Sequence, residues 1–433
     1  MGLLQALAAV LSLLAGAAAA DGFRVLEGHG GPIMGVASAD GVVATASFDN
    51  SVGLWKGDDG PPRWLEAHEA AVKSVIFAGD KYVISGGDDN VAIIWDRNAG
   101  ALIHRLERHE AKIMSVRASP DGAMIATASW DRRIGIWDVA TGLLIRWLKG
   151  HTSNVNDIAF TSDGKLISAS YDGTIREWRI ADGVQTRIMA RHGFGVNTLL
   201  VDEAADWLAY GALDGGTRVL RLSDGAEIAD LTLDRRPILS MARRADGGQI
   251  AVGDGEGYIM VVGTANWTIQ HDFRAAKRGP VWALAYVDGG TGLLAGGIED
   301  DAYVWPVGQT DALPRMGEDQ RIFHTDPARV SNGERQFLRK CSVCHTLNPG
   351  SSRKAGPSLY GLFGRQAGTY PGYTYSDALN GSDLIWSEDA VDKLFDLGPD
   401  FYTPGSKMPM QQIAKPQDRA DLIAFLKTAT AAE

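Results

Sequence analysis

Cysteine is scarce in this chain, whose 433 residues include only Cys341 and Cys344. A single pair of thiols cannot form the disulfide network that stabilises small exported scaffolds. Glycine is abundant instead, with 52 residues, and so many turn formers are typical of an all-β component. Because domains usually contain about 50 to 250 residues, the length predicts two or three units.

An excess of positive charge is also missing. The formal net charge is −11, and the first 308 residues hold 38 acidic against 28 basic residues. The remaining residues are nearly balanced, with 15 acidic and 14 basic. Since an acidic surface repels phosphate groups, nucleic acid is not expected as a partner.

Long apolar runs are absent after residue 20. Residues 1–20 carry no charged side chain and end in small residues, with Ala18 and Ala20 forming an A-x-A pattern ahead of Asp21. This pattern predicts a signal peptide at residues 1–20 and export to the periplasm. The segment contains no Lys or Arg, and its length would also allow a retained membrane anchor, the only expected route to membrane association.

A repeat of about forty residues fills the first three quarters of the chain. Within each unit, short alternating segments are separated by turn residues, as in "KLISASYDGTIREWRI". The equivalent segments end, at spacings of 40 to 43 residues, at Trp55, Trp95, Trp137, Trp178, Leu220, Val262 and Trp305.

Dipeptides such as Gly28-His29, Gly150-His151 and Trp137-Asp138 recur at fixed places in these units. The repeats therefore resemble the WD40 family of β-propellers, whose blades are four-stranded sheets. This resemblance implies an all-β propeller of seven blades over residues 21–308, in which residues 23–27 complete the last blade. It also implies that the propeller binds proteins.

The resemblance gives structural roles to five of the nine histidines. In each blade, a histidine, a turn aspartate, a strand Ser or Thr and the Trp are expected to form a hydrogen-bonded ladder. The pairs are His29 with Asp49, His68 with Asp89, His109 with Asp131, His151 with Asp172, and His192 with Asp214.

Repeats 6 and 7 lack the histidine and the aspartate. Their equivalent positions hold Arg235 with Glu256, and Lys277 or Arg278 with Glu299, which predicts a charge pair in each blade. In the alternative, the basic residues of these repeats form a docking spot with Arg236 and Arg274.

The two cysteines belong to the motif Cys341-Ser342-Val343-Cys344-His345. A thioredoxin-like redox pair requires a βαβ setting, which is not visible. A zinc site requires further paired ligands, which are not visible nearby. The third possibility is covalent haem c, in which both thiols form thioethers and the histidine ligates iron. The motif and the export signal together favour haem c.

The C-terminal quarter supports this interpretation. Its stretches "CSVCHT", "GPSLYGLFGRQAG", "PGYTYSDAL", "TPGSKMPM" and "RADLIAFLKTAT" resemble class I cytochromes c of the mitochondrial and alphaproteobacterial type. The resemblance implies an all-α domain over residues 326–433, after a linker at 309–325, with a helix beginning near Asp326-Pro327. It also implies one haem c with His345 and Met408 as iron ligands.

Other site residues follow from the same resemblance. The carbonyl of Pro357 is expected to accept a hydrogen bond from His345, and Arg365, Tyr375 and Trp386 to bind a haem propionate. Met410 is expected to pack rather than ligate. Leu379 departs from the family pattern, in which a polar residue is common. The resemblance and the apolar spacing predict that the first and last helices cross closely, through Gly333, Phe337, Leu422, Phe425 and Leu426.

Two functions remain open at this point. The first is an exported one-electron carrier whose propeller is a protein-docking platform for a periplasmic redox partner. The alternative is a periplasmic oxidoreductase whose propeller holds a substrate or a second redox site. No catalytic constellation is visible, which favours an electron-transfer protein over a stand-alone enzyme. The remaining histidines, His104, His271 and His324, show no metal-ligand spacing.

Overall fold

The computed structural model describes residues 24–57, 60–233, 237–308, 330–342, 344–350, 354–408 and 411–431. Side chains of Arg339 and Asp400 are also outside this description. The predicted signal peptide at residues 1–20, the predicted linker at 309–325 and the predicted helix start near Asp326-Pro327 lie outside the described residues.

The described part of the N-terminal domain contains 28 strands in seven sheets of four strands each. The first strand is β1 (Arg24–Leu26). Blades 1 and 2 contain β2 (Ile33–Ala39), β3 (Val42–Ser47), β4 (Ser51–Lys56), β5 (Arg63–Glu66), β6 (Val72–Ala78), β7 (Tyr82–Gly87), β8 (Ala92–Asp96) and β9 (Leu102–Leu106). Blades 3 and 4 contain β10 (Ile113–Ala118), β11 (Met124–Ser129), β12 (Arg133–Asp138), β13 (Leu144–Lys149), β14 (Val155–Phe160), β15 (Lys165–Ser170), β16 (Thr174–Arg179) and β17 (Val184–Arg191).

The last three blades follow the same order. Blades 5 and 6 contain β18 (Val196–Asp202), β19 (Trp207–Ala212), β20 (Thr217–Arg221), β21 (Glu227–Asp230), β22 (Ile238–Arg243), β23 (Gln249–Asp254), β24 (Tyr258–Gly263) and β25 (Thr268–Arg274). Blade 7 contains β26 (Val281–Val287), a 3₁₀ turn at Asp288–Gly290, β27 (Gly292–Gly297) and β28 (Ala302–Pro306).

The ring is closed by the start of the chain. Strand β1 pairs with β28, and its register places Arg24 opposite Val304 and Leu26 opposite Ala302. The innermost strands of successive blades also contact one another, and β2 of blade 1 contacts β26 of blade 7. The predictions of a seven-bladed propeller and of a last blade completed by the first strand are therefore confirmed.

One turn position repeats from blade to blade with a left-handed backbone. This residue follows the ladder aspartate, and glycine or asparagine, which tolerate a positive φ, usually occupies it. In blade 3 the position is Arg132, with a φ of 71°. The equivalent residues with positive φ in blades 1, 2, 4, 5 and 6 are Asn50, Asn90, Gly173, Gly215 and Gly257.

A hydrogen-bonded ladder forms inside blades 1 to 4, as predicted. In blade 3, Nδ1 of His109 donates to Asp131 at 2.7 Å, and the hydroxyl of Thr127 lies 2.7 Å from Nε2 of His109. The indole of Trp137 donates to that hydroxyl at 2.9 Å. The same contacts join the corresponding groups of blades 1, 2 and 4. Each buried polar group of these four ladders therefore has a partner, as is usual in stable interiors.

Blade 5 uses the same residues in a different arrangement. The ring of His192 is reversed, so that Nε2 contacts Asp214 at 2.9 Å and Nδ1 contacts the hydroxyl of Tyr210 at 3.1 Å. Leu220 occupies the place of the tryptophan, and it supplies no indole donor. The predicted histidine and aspartate pair is confirmed here, but the ladder is shorter.

In blade 7 the predicted charge pair is present and involves Arg278. Its Nε lies 3.7 Å from Oε1 of Glu299, and Oε2 of the same carboxylate accepts a hydrogen bond of 2.6 Å from the hydroxyl of Tyr303. Lys277 instead places its ammonium 5.4 Å from the centre of the Tyr303 ring. This is within the distance of about 6 Å at which cation–π contacts form. Arg235, the predicted partner in blade 6, lies outside the described residues.

The C-terminal domain contains four helices among its described residues: α1 (Asn332–Lys340), α2 (Glu388–Leu397), α3 (Pro399–Tyr402) and α4 (Pro416–Ala429). Helix α1 begins after Ser331, whose side chain accepts from the N–H of Glu334. Helix α2 begins after Ser387 with the equivalent bond to the N–H of Ala390. Such caps satisfy backbone donors that a helix leaves free. No described helix is long and apolar enough to cross a membrane.

Helices α1 and α4 cross closely, as predicted. A Cβ at Gly333 would lie 2.0 Å from the carbonyl oxygen of Asp421, so only glycine fits there without movement. The rings of Phe337 and Phe425 are 5.7 Å apart. Leu422 and Leu426 of α4 are fully buried in the same apolar core.

Candidate cofactor site

The two cysteines lie on a tight turn at the end of α1. The N–H of Cys341 still bonds to the carbonyl of Phe337 at 2.8 Å, which continues the helix by one residue. The N–H groups of Cys344 and His345 then both donate to the carbonyl of Cys341, at 3.0 and 2.8 Å. The three reactive side chains are thus held on one turn.

A cavity of about 540 Å³ lies against this turn. Cofactor and ligand pockets are usually about 300 to 1,000 Å³, so its size fits a bound group. The structure places all eight predicted site residues in the cavity lining: Cys341, Cys344, His345, Pro357, Arg365, Tyr375, Trp386 and Met408. These residues are up to 67 positions apart in the sequence, and only the fold brings them together.

The imidazole of His345 is fixed by its neighbours. Its Nδ1 donates to the carbonyl of Pro357 at 2.7 Å, which leaves Nε2 as the nitrogen with a lone pair in the neutral ring. Burial lowers the pKa of His345 below its ordinary value and favours that neutral form. A Cβ at Gly356 would lie 2.3 Å from Cε1 of the ring, so the backbone passes directly beside it.

The two sulfur atoms are held in an apolar setting. Burial raises the pKa of the Cys341 thiol to about 12 and that of the Cys344 thiol to about 11. Both groups are therefore uncharged near neutral pH. A thioether sulfur is uncharged as well, so the surroundings of both atoms suit that product.

The cationic side of the cavity is built around Arg365. Its guanidinium donates to the carbonyls of Tyr360 and Ser358, at 2.6 and 3.1 Å, and lies over the ring of Tyr370 at 4.8 Å. The N–H of Trp386 donates to the backbone carbonyl of Arg365 at 3.0 Å. The side chain is thus positioned by fixed acceptors, and burial lowers its pKa.

Tyrosines complete this side. The hydroxyl of Tyr375 accepts from the N–H of Tyr370 at 3.2 Å, and its ring meets that of Tyr373 edge-on at 4.9 Å. The hydroxyl of Tyr373 donates to the carbonyl of Ala355 at 2.6 Å. Burial raises the pKa of Tyr373 to about 12, so it remains a neutral donor.

Gly356, Tyr373 and Ser376 are among the cavity residues that were not predicted from the sequence. The hydroxyl oxygen of Ser376 is buried at the cavity and has no hydrogen-bond partner among the described residues. Such an atom is costly to bury unless a bound group satisfies it. All three residues stand directly beside predicted site residues or within two positions of one, which is the signal that was available.

The propeller also contributes residues to the cavity lining, which no sequence pattern predicted. Six of its residues in the cavity lining are Phe48, Asn50, Ala71, Asp88, Lys112 and Trp130, which together we call the blade 1–3 face. The periodicity of the repeats reports contacts inside the propeller, and it carries no information about a contact with another domain. Sequence reasoning therefore had no signal for this face.

Three further residues were named from the sequence. Leu379, which departs from the family pattern, also lines the cavity. Met410 and His324 lie outside the described residues. Among the residues that the structure describes, no cluster of three His, Cys, Asp or Glu side chains is arranged to hold a metal ion.

Comparison with known proteins assigns both domains. The family described as "Cytochrome c" matches residues 330–430, and the family described as "WD domain, G-beta repeat" matches residues 23–56, 61–96, 100–138 and 142–179. The matched WD repeats are the first four, in which the ladder is complete.

Curated relatives match the C-terminal domain over nearly all of their own length. A cytochrome c of Sesamum indicum is 51% identical over 107 residues, which are 24% of this chain and 94% of the relative. A cytochrome c of Gossypium barbadense is 49% identical over the same shares, and one of Theileria parva is 46% identical over 23% of this chain and 85% of the relative. These relatives are eukaryotic, and an alphaproteobacterial type remains a prediction. Through its C-terminal domain, which follows a propeller of WD40 repeats, the chain belongs to the cytochrome c family.

Proposed function

We propose that this chain is an exported one-electron carrier with one haem c, attached through Cys341 and Cys344 and ligated by His345 and Met408. Membership of the cytochrome c family implies covalent haem c and electron transfer. The observation that supports the finer proposal is the shared cavity, which both thiols, the imidazole and the thioether line together.

When bound, the haem supplies an iron that alternates between ferric and ferrous states. The chain sets the properties of that iron. The carbonyl of Pro357 fixes the ring of His345 and makes Nε2 a stronger donor. Met408, which packs against the core of the domain, supplies a soft thioether, and a methionine ligand raises the reduction potential.

Polar groups on the cavity wall would hold the charged edge of the cofactor. Arg365 is oriented by two carbonyls and keeps its positive charge, so it would attract a propionate. The unpartnered hydroxyl of Ser376 supplies a further hydrogen-bonding group on this wall. Tyr375 and Trp386 border the same space.

The propeller supplies the protein-binding part of the proposal. WD40 repeats imply protein interaction, and the complete ladders of blades 1 to 4 stiffen the loops that a partner would contact. We infer that the propeller is a docking platform for a redox protein. Location of that partner in the periplasm is supported by the apolar sequence of residues 1–20.

The test of this function is the ligation of iron by Met408 in the purified full-length protein. We expect the reduced protein to bind carbon monoxide poorly, because His345 and Met408 would both ligate the iron. Met408→Ala should bind carbon monoxide readily and lower the reduction potential. Met124→Leu, a change to a partly buried methionine of the propeller, is the matched control and should alter neither property. Ready binding of carbon monoxide by the unmodified protein would contradict the proposal.

A further inference from the structure

The blade 1–3 face is built from equivalent positions of three successive repeats. Phe48, Asp88 and Trp130 each stand directly before a ladder aspartate, and all three line the cavity of the cytochrome c domain. Ala71 and Lys112 occupy equivalent positions on the loops that carry the ladder histidines. The face is therefore a regular surface of the propeller.

Backbone hydrogen bonds join the turns that contain the ladder aspartates to the loops that carry the ladder histidines. The N–H of Asp88 donates to the carbonyl of Ala71 at 2.8 Å, and the N–H of Trp130 donates to the carbonyl of Lys112 at 3.0 Å. The ladder bonds, such as the one between His109 and Asp131, join the same loops through their side chains. The face is thus preorganised, which reduces the entropy lost on binding.

The chemistry of the face suits an apolar partner with little net charge. The ammonium of Lys112 lies 3.7 Å from the centre of the Trp130 ring. One carboxylate oxygen of Asp88 is buried without a hydrogen-bond partner among the described residues, while the other lies 3.9 Å from Nζ of Lys73. The charges of this surface are thus balanced locally, and its aromatic rings supply the contact area.

The hydrogen bonds and the ion pair described above for the blade 1–3 face all join residues of the propeller. On this face, Phe48, Ala71 and Trp130 supply apolar surface that lines the shared cavity. An interface of this kind can open without leaving many unsatisfied polar groups.

We propose that the blade 1–3 face is a docking surface for the chain's own cytochrome c domain and that it closes one side of the haem cavity. This inference rests on the proposed haem site. It gives Trp130 and Lys112 a place in the surroundings of the cofactor. An external redox partner would then either displace this face or exchange electrons through a side of the cavity that the propeller leaves open.

Blade 4 provides an internal comparison. Tyr171 stands directly before the ladder aspartate Asp172, as Trp130 stands before Asp131, and its N–H donates to the carbonyl of Asn154 at 2.8 Å. It does not line the cavity, and 52% of its surface is exposed, against 38% for Trp130. Position 171 therefore matches position 130 in local structure and differs in its distance from the cavity.

The experiment uses full-length protein with one added cysteine, Trp130→Cys or Tyr171→Cys, labelled with a thiol-reactive fluorophore. If the native thiols are consumed by haem, the unmodified protein takes no label, and each variant takes one. Haem quenches nearby fluorophores, so we expect at least a several-fold weaker emission from the label at position 130 than from the label at 171. Unfolding with denaturant should remove the difference.

A second measurement needs no substitution. Lys112 and Lys407 line the same cavity from different domains, so a short amine-reactive cross-linker should join them in the unmodified protein. Lys165 of blade 4 is the control and should give no such product with Lys407.

These measurements separate the inference from the proposed function. Equal emission from both labels, with no cross-link between Lys112 and Lys407, would overturn the docking inference even where the haem is normal. Labelling of the unmodified protein at Cys341 and Cys344 would instead contradict the haem attachment on which the proposed function depends.

Discussion

The two domains satisfy their buried polar groups in different ways. In the propeller, the ladder of blade 3 joins histidine, aspartate, threonine and tryptophan to one another, and nothing else is needed to complete it. In the cytochrome c domain, the residues around His345 surround a cavity of about 540 Å³, and the hydroxyl of Ser376 has no partner among the described residues. The ladder of blade 3 is complete by itself, whereas the cytochrome c domain is built around a bound group.

The largest expected effect removes the covalent attachment. The double variant Cys341→Ser, Cys344→Ser should carry no covalent haem, because no other cysteine exists in the chain. The propeller should remain folded, since its ladders do not depend on the cofactor. Intact-mass spectrometry measures the first result, and limited proteolysis measures the second. Ser342→Ala, between the two cysteines, is the control and should retain haem. Loss of the propeller together with the haem would contradict the proposed independence.

The second-largest expected effect is a difference in stability between variants of the complete ladder in blade 3 and of the shorter ladder in blade 5. His109→Ala should lower the free energy of unfolding of the propeller by about 3 kcal/mol, because buried partners at Asp131 and Thr127 lose their hydrogen bonds. His192→Ala should cost about 1 kcal/mol, because Asp214 remains partly exposed to water. Denaturant unfolding followed by tryptophan fluorescence measures both. Similar losses in the two variants would show that the ladder of blade 3 has no special contribution.

A comparable change in the cytochrome c domain should act on the haem site alone. In Gly356→Ala the new Cβ would meet the ring of His345, and overpacking of this kind typically costs about 1 to 3 kcal/mol. We expect a less stable domain and a changed visible spectrum, with unchanged unfolding of the propeller. Gly60→Ala is the control, because a Cβ there meets nothing within 4 Å. An unaltered spectrum in Gly356→Ala would mean that the ring is free to shift.

The smallest effect is a dependence of propeller stability on pH. Burial opposes the charge of Asp131, but hydrogen bonds from His109 and the backbone outweigh it and lower the pKa below the ordinary 3.8. For His151, burial is the main cause of the shift and lowers the pKa below the ordinary 6.5. Both groups bind protons more readily when unfolded. The stability that they supply is therefore complete above about pH 6.5 and decreases at lower pH, first through His151 and then, below about pH 4, through Asp131.

Thermal unfolding of the propeller between pH 7 and pH 3 measures this dependence. Asp131→Asn should flatten the part of the curve below pH 4, because an amide does not titrate there. A curve that is equally steep in this variant would assign the acid sensitivity to other groups.

Features that repeat locally were predictable from the sequence. The ladder pairs, the closing strand at Arg24–Leu26 and the apolar stripe of Leu422 and Leu426 follow from spacing or from family resemblance, and the structure bears them out. The repeat pattern also located the altered pair of blade 7. It could not decide between Lys277 and Arg278, because that choice depends on how each side chain packs around Tyr303.

Contacts between distant segments were not predictable in the same way. Trp130 resembles any other residue before a ladder aspartate, and only the placement of the second domain gives it a role at the cavity. Nothing in the sequence distinguishes Ser376 from an ordinary loop serine, although its hydroxyl is buried at the cavity. The haem contacts of Arg365, Tyr375 and Trp386 remain predictions, although all three line the cavity.

The identity of the iron ligands tests directly whether the cavity of the cytochrome c domain holds a haem between His345 and Met408. X-ray absorption at the iron edge of the full-length protein reports which atoms bind the metal. We expect nitrogen ligands from the haem and His345 together with a single sulfur, and loss of that sulfur in Met408→Ala. A spectrum with no sulfur ligand in the unmodified protein would contradict this ligation.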